Sequence, residues 1–225
     1  APSPSYPIHT YGFIIAGATI RSVPTTPDEA YWEALDQAMA YTSPRPSVLV
    51  VNYPSNPTAE TVDLAFYERL VAWARENKVW VLSDLAYSEL YYDGKPTRSI
   101  LEVPGAKECA VEFTSMSKTY SMAGWRMGFA VGNPQLIAAL TRVKSYLDYG
   151  AFTPIQAAAC AALNGPQDIV EPNRWQPLAL NSVVAGHGLM GCVEKELEAK
   201  RTAHIDVTTT MCWKRSMRGK GGRKG

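Results

Sequence analysis

The first 170 residues of this 225-residue chain predict an α/β domain: a mostly parallel sheet flanked by helices. Three observations carry that prediction. Residues 48–51 and 79–82 are short apolar runs bounded by turn residues, the pattern of strands buried on both faces. Segments with helical spacing lie between such runs, and alternating strands and helices argue for a parallel sheet. Finally, Asn56, Asp84 and the 115–118 stretch each follow the end of a predicted strand, which is where open α/β sheets bind ligands.

The elements follow in order. Residues 7–17 read as a short helix opened by Pro7, and residues 19–23 alternate and are β-branched, which predicts a strand. Asp28 can cap a helix running to about Tyr41, with Ala30, Leu35, Ala38 and Met39 facing inward. Ser43-Pro44-Arg45-Pro46 ends it. The clearest helix spans 61–77, where Val62, Phe66, Leu70 and Trp73 share one face. Residues 110–113 make a third strand that ends just before Ser115, and residues 127–131 a fourth. Helices follow at about 134–149 and 154–163, and no internal repeat is visible.

Composition sets the limits. A hydrophobic fraction of 46% is that of a soluble globular protein. The net charge of +1 hides an asymmetry: 12 Lys and Arg stand against 16 Asp and Glu over residues 1–170, and 10 against 5 over 171–225. The expected division is therefore a partial large domain over 1–170 and a poorly ordered basic tail over 171–225, whose Gly/Lys/Arg-rich end cannot bury a core. No run of eighteen apolar residues is present, so no membrane partner is expected. The N-terminus has neither signal-peptide regions nor an initiator methionine, which points to processing or a fragment. Cys109, Cys160, Cys192 and Cys212 are far apart, so free thiols in a cytoplasmic protein are expected rather than a metal site. His9, His187 and His204 have no ligand-like spacing and are assigned no role. Nucleic-acid binding by the basic tail is the weaker alternative to a tail without function.

The most informative residue is Lys118, in Thr114-Ser115-Met116-Ser117-Lys118-Thr119-Tyr120 with Arg126 eight positions on. A lysine that condenses with an aldehyde becomes a covalent catalyst. Small hydroxyl residues and an arginine fork suit a phosphate beside it. Together they suggest a pyridoxal phosphate site. Such a cofactor needs an acid beside its ring nitrogen, which Asp84 can supply. It needs donors to its phenolate oxygen, which Asn56 and Tyr87 can supply. Ser115 and Arg126 can bind phosphate, and Tyr6 can stack on the ring.

Four motifs, in this order and spacing, resemble the large domain of a fold-type I, class I/II pyridoxal-phosphate-dependent aminotransferase. They are Tyr53-Pro54-Ser55-Asn56-Pro57-Thr58, Ser83-Asp84-Leu85-Ala86-Tyr87, Ser115-Met116-Ser117-Lys118 and Gly124-Trp125-Arg126-Met127-Gly128. The resemblance implies that Lys118 bonds the cofactor and shuttles the proton, and that Asp84 pairs with the ring nitrogen. It implies that Asn56 and Tyr87 contact the phenolate oxygen, that Ser115, Ser117 and Arg126 hold the phosphate, and that Tyr6 stacks on the ring. Where the family usually has Asn-Pro-Thr-Gly, this chain reads Asn56-Pro57-Thr58-Ala59. Residues 145–154 look most like the alanine or LL-diaminopimelate transaminase branch. The implied reaction is transamination between an L-amino acid, alanine, and a 2-oxo acid such as 2-oxoglutarate, by a homodimer in the cytoplasm. The resemblance also implies an incomplete large domain without the small C-terminal domain, and hence a poorly active polypeptide. A lyase or synthase with the same cofactor and fold, and a catalytically inactive fragment, stay open.

Overall fold

Asp28, Asp63 and Asn133 cap the helices that follow them. The computed structural model describes residues 1–92 and 94–174, so the tail expected over 175–225 lies outside the described residues. In chain order the elements are β1 (Pro2–Ser3), α1 (Ile8–Ile15), β2 (Val23–Pro24), α2 (Glu29–Tyr41), β3 (Val48–Asn52) and α3 (Leu64–Asn77). After them come β4 (Trp80–Asp84), β5 (Ala110–Ser115), α4 (Met116–Thr119), β6 (Gly128–Gly132), α5 (Pro134–Leu147) and α6 (Thr153–Asn164). The Asp28 carboxylate accepts from the Tyr31 amide at 3.2 Å and starts α2. Asp63 does the same for α3 through the Phe66 amide at 2.9 Å, so this helix opens at Leu64 rather than at the expected residue 61. Asn133 caps α5, with Pro134 at the first helical position, where its missing N–H costs nothing.

The main sheet has the order β3-β4-β5-β6. β3, β4 and β5 run parallel, and β6 returns antiparallel along β5. The β5–β6 connection holds only the four-residue α4 and one 3-10 turn, too little helix for the crossover a parallel strand requires. Gly128 lets β6 close on β5: a Cβ there would sit 2.8 Å from the Thr114 carbonyl oxygen. The strand expected over 19–23 is mostly absent. Only Val23 and Pro24 pair, with Pro2 and Ser3, because β1 offers just two residues to bond, and tertiary pairing overrides β propensity.

Helices α2 and α3 cover one face of the sheet. Phe66 lies at the centre of this layer, with its ring centroid 5.2–5.8 Å from those of Tyr31, Trp32, Tyr53 and Tyr67. Leu70 and Tyr67 are wholly buried beneath it. Burying a side chain of this size stabilises by about 1.5–3 kcal/mol. The domain boundary expected at residue 170 falls inside a helical turn, since residues 170–174 are helical.

On the helix-covered side of the sheet, Glu112 of β5 is buried and accepts from Ser83 Oγ, Ser99 Oγ and the Ile100 amide. Burial pushes its carboxyl above the ordinary glutamate range, and the three hydrogen bonds only partly oppose this. A carboxyl whose folded-state pKa is raised adds stability below its unfolded pKa and loses it as pH rises through the folded value. Chemical denaturation across the weakly acid range is expected to show stability falling with pH in that window, and Glu112→Gln to remove that part of the slope. Equal slopes in the two proteins would refute the assignment.

Candidate active site

The parallel register sets Asn52, Asp84 and Phe113 side by side, so the carboxyl ends of β3, β4 and β5 meet at one edge. Asn52 ties that edge together. Its buried side chain donates to the Asp84 carbonyl at 2.8 Å and the Pro54 carbonyl at 3.2 Å, and accepts from the Asn56 amide at 2.9 Å. The turn after β3, in which the Tyr53–Pro54 and Asn56–Pro57 peptides are cis, is thereby held against the end of β4. From that turn Asn56 Nδ2 donates to the Tyr87 hydroxyl at 3.1 Å.

Asp84 is gripped at both oxygens. Oδ1 accepts from the Ala86 amide at 3.1 Å, and Oδ2 lies 2.8 Å from His9 Nε2. An ionised carboxylate only accepts, so this bond places a proton on His9 Nε2. The ring's other nitrogen, Nδ1, is buried without a protein partner. His9 is 5% exposed and meets Tyr6 edge to face, with centroids 5.9 Å apart. Tyr6 itself is half exposed.

Tyr87 joins the two halves of the site. Its hydroxyl accepts from Asn56, which leaves its own proton to give. Burial is the main cause that raises its pKa, with the charges of Asp84 and Tyr6 adding to it and the Asn56 hydrogen bond opposing it. Tyr87 is thus a donor at neutral pH. The Lys118 amine lies 5.6 Å over the Tyr87 ring. Lys118 sits on α4, immediately after β5, and is exposed. Ser115 caps α4 by accepting from the Ser117 amide at 3.1 Å.

Arg126 stands apart. Its backbone is left-handed, at φ 52°, and its guanidinium donates to the Ala123 carbonyl at 3.0 Å. The strand pairing still brings it near, because Gly128 pairs with Ser115 and the Met116 amide donates to the Met127 carbonyl at 3.0 Å. The expected residues therefore form two groups: Tyr6, Asn56, Asp84, Tyr87 and Lys118 are linked by contacts, while Ser115, Ser117 and Arg126 adjoin them through the backbone. Sequence reasoning missed His9 and Asn52. The available signals were modest: a histidine one helical turn after Tyr6, and an asparagine closing a strand four residues before Asn56.

The donor set fits pyridoxal phosphate. A carboxylate fixed at both oxygens suits a cationic ring nitrogen, a phenol and an amide suit an anionic ring oxygen, and hydroxyls with a guanidinium suit a phosphate. Among the described residues no group of three His, Cys, Asp or Glu side chains could hold a metal ion. No helix there is long and apolar enough to cross a membrane. A cavity of about 950 Å³ lies elsewhere, between the start of α3 and residues 90–98, and none of the candidate site residues lines it. At the candidate site Lys118 and Arg126 are exposed to solvent.

Residues 1–182 match the family described as Aminotransferase class I and II. A putative aminotransferase, AatC, of Rhizobium meliloti is 61% identical over 171 residues, covering 76% of this chain and 42% of that protein. Glutamate-pyruvate aminotransferase AlaC of Escherichia coli is 52% identical over 169 residues, covering 75% and 41%. An LL-diaminopimelate aminotransferase of Aquifex aeolicus is 44% identical over 173 residues, covering 77% and 45%. Among solved structures, apo BacF from Bacillus subtilis superposes with a TM-score of 0.70 at 36% identity, covering 77% of this chain and 46% of that one. The chain spans less than half the length of the curated relatives it matches.

Asn52 yields a direct test of this geometry. Replacing it with alanine strands the partners of three hydrogen bonds, one buried and two partly buried, and is expected to cost about 1–3 kcal/mol. A urea midpoint unchanged in Asn52→Ala would show that the strand ends are held by something else.

Proposed function

The chain belongs to the class I and II aminotransferase family, and on that premise we propose that its strand-end cluster is the cofactor half of a transaminase site. The family is pyridoxal-phosphate-dependent. The observation that carries the proposal is the linked set of Asp84 held by His9, Asn56 bonded to Tyr87, and the Lys118 amine over the Tyr87 ring. When bound, pyridoxal phosphate supplies the electron sink that lets an amino acid release its α-proton.

The chain's own residues have separable tasks in this reading. Asp84 keeps a negative charge against the ring nitrogen, and His9 and the Ala86 amide fix its two oxygens. Asn56 and Tyr87 donate to the ring oxygen, Tyr87 because it keeps its proton. Ser115, Ser117 and Arg126 bind the phosphate, and Tyr6 covers one ring face. Lys118 anchors the cofactor and then moves the proton at its Nζ.

For the whole protein the proposed reaction is amino transfer between an L-amino acid, alanine, and a 2-oxo acid such as 2-oxoglutarate. The name of the Escherichia coli relative, glutamate-pyruvate aminotransferase, supports this pair. The whole protein is proposed to work in the cytoplasm as a homodimer. The exposed apolar side chains Tyr146, Leu147, Tyr149 and Phe152, following one another from the end of α5, support association with a second copy.

Incubation of the 225-residue chain with pyridoxal phosphate, followed by borohydride reduction and peptide mass analysis, tests the reading. The expected result is one adduct, on Lys118, lost in Lys118→Ala. In the intact enzyme the same substitution is expected to lower amino transfer from alanine by at least about 10²–10⁴-fold. Labelling spread over surface lysines, with Lys118→Ala unaffected, would overturn the proposal.

A further inference from the structure

A short segment beyond α6 braces two loops of the candidate site. Asn173, 8% exposed, donates from Nδ2 to the Thr119 carbonyl at 3.2 Å. Thr119 ends α4, directly after Lys118. Arg174 reaches the other way: its Nε donates to the Glu89 carbonyl at 2.8 Å, and its Nη2 lies 3.4 Å from Glu89 Oε2. Its guanidinium stacks 3.7 Å over the Tyr91 ring. Glu89 and Tyr91 belong to the loop that carries Tyr87. Upstream, the Tyr120 hydroxyl donates to Gln167 Oε1 at 2.7 Å, and Gln167 Nε2 donates to the Ala162 and Gly165 carbonyls.

Each loop is tied to the sheet at its start, by the Met116 amide to the Met127 carbonyl and by the Leu85 amide to the Phe113 carbonyl. Residues 116–120 follow the last paired residue of β5, and residues 86–92 leave the end of β4. A single helical turn such as α4 is marginal on its own. The neighbours Asn173 and Arg174 are therefore placed to fix one loop against the other.

We propose that Asn173 and Arg174 are positioning residues that hold the Lys118 amine over the Tyr87 ring, keeping the site arranged before the cofactor arrives. The proposal rests on the functional reading above. Arginine suits the task better than lysine, because its planar fork can stack on Tyr91 while bonding Glu89. A misplacement of about 1 Å in such a site costs about a hundredfold in function.

The test uses Asn173→Ala, Arg174→Ala and Arg174→Lys in the full chain, with two readouts. Hydrogen exchange without cofactor is expected to rise over residues 116–120 in Asn173→Ala and over 87–92 in Arg174→Ala. Exchange across α3 should stay unchanged, showing that the fold is intact. The dissociation constant for pyridoxal phosphate, read by quenching of protein fluorescence, is expected to weaken about ten- to a hundredfold in both alanine variants. Arg174→Lys should recover part of that loss. Unchanged exchange in both loops overturns the brace. Faster exchange with unchanged affinity leaves a brace but removes its positioning role. A wild-type chain that takes no cofactor on Lys118 sinks the functional reading and the positioning role with it, while the exchange data still decide whether the brace exists.

Discussion

Everything at the candidate site depends on strand register. Parallel strands have no tight turn between them to set their pairing, and a slip of one residue turns every side chain to the opposite face. Here such a slip in β4 would put Ser83 where Asp84 stands. Side chains on both sides of β4 oppose it. At the strand end, Asn52 bonds the Asp84 carbonyl and the Asn56 amide. On the helix-covered side, Ser83 bonds Glu112, its partner in the β4–β5 pairing. The aromatic layer around Phe66 buries that side, so exposing it would cost far more than any one hydrogen bond supplies.

Much of this was legible in the sequence because the relevant signals are local. Apolar runs ended by turn residues gave β3 and β4, and Asp28 marked the start of α2. Polar residues directly after each predicted strand then marked the candidate site, because open α/β sheets place such residues at one edge. What was not legible depended on long-range partners. His9 looks like a lone histidine until helix α1 brings it to Asp84, seventy-five positions away. Asn52 looks like the start of a turn until its side chain is seen to bond across strands. The strand expected over 19–23 failed because propensity cannot supply a pairing partner. The left-handed backbone of Arg126 is likewise set by the turn into β6.

The electrostatics divide the site into two tasks. Asp84 is a carboxylate held by a buried histidine and a backbone amide, and Tyr87 is a phenol whose pKa burial raises further above the ordinary tyrosine value. In the proposed reading the carboxylate would sit beside a cationic ring nitrogen and the phenol beside an anionic ring oxygen, each stabilising one charge of the same ring. Lys118 and Arg126, by contrast, are exposed to solvent. Asp84, His9, Asn56, Tyr87 and Lys118 are joined by side-chain contacts, whereas Ser115, Ser117 and Arg126 adjoin them through the backbone.

The central claim is that three strand ends converge on one cofactor. A crystal structure of this chain grown with pyridoxal phosphate tests it most directly. The account predicts the ring nitrogen within hydrogen-bonding distance of Asp84, with His9 on the same carboxylate, Asn56 and Tyr87 at the ring oxygen, and the cofactor bonded to Lys118 Nζ. A cofactor seated away from Asp84, or bonded to another lysine with this edge of the sheet empty, would contradict it.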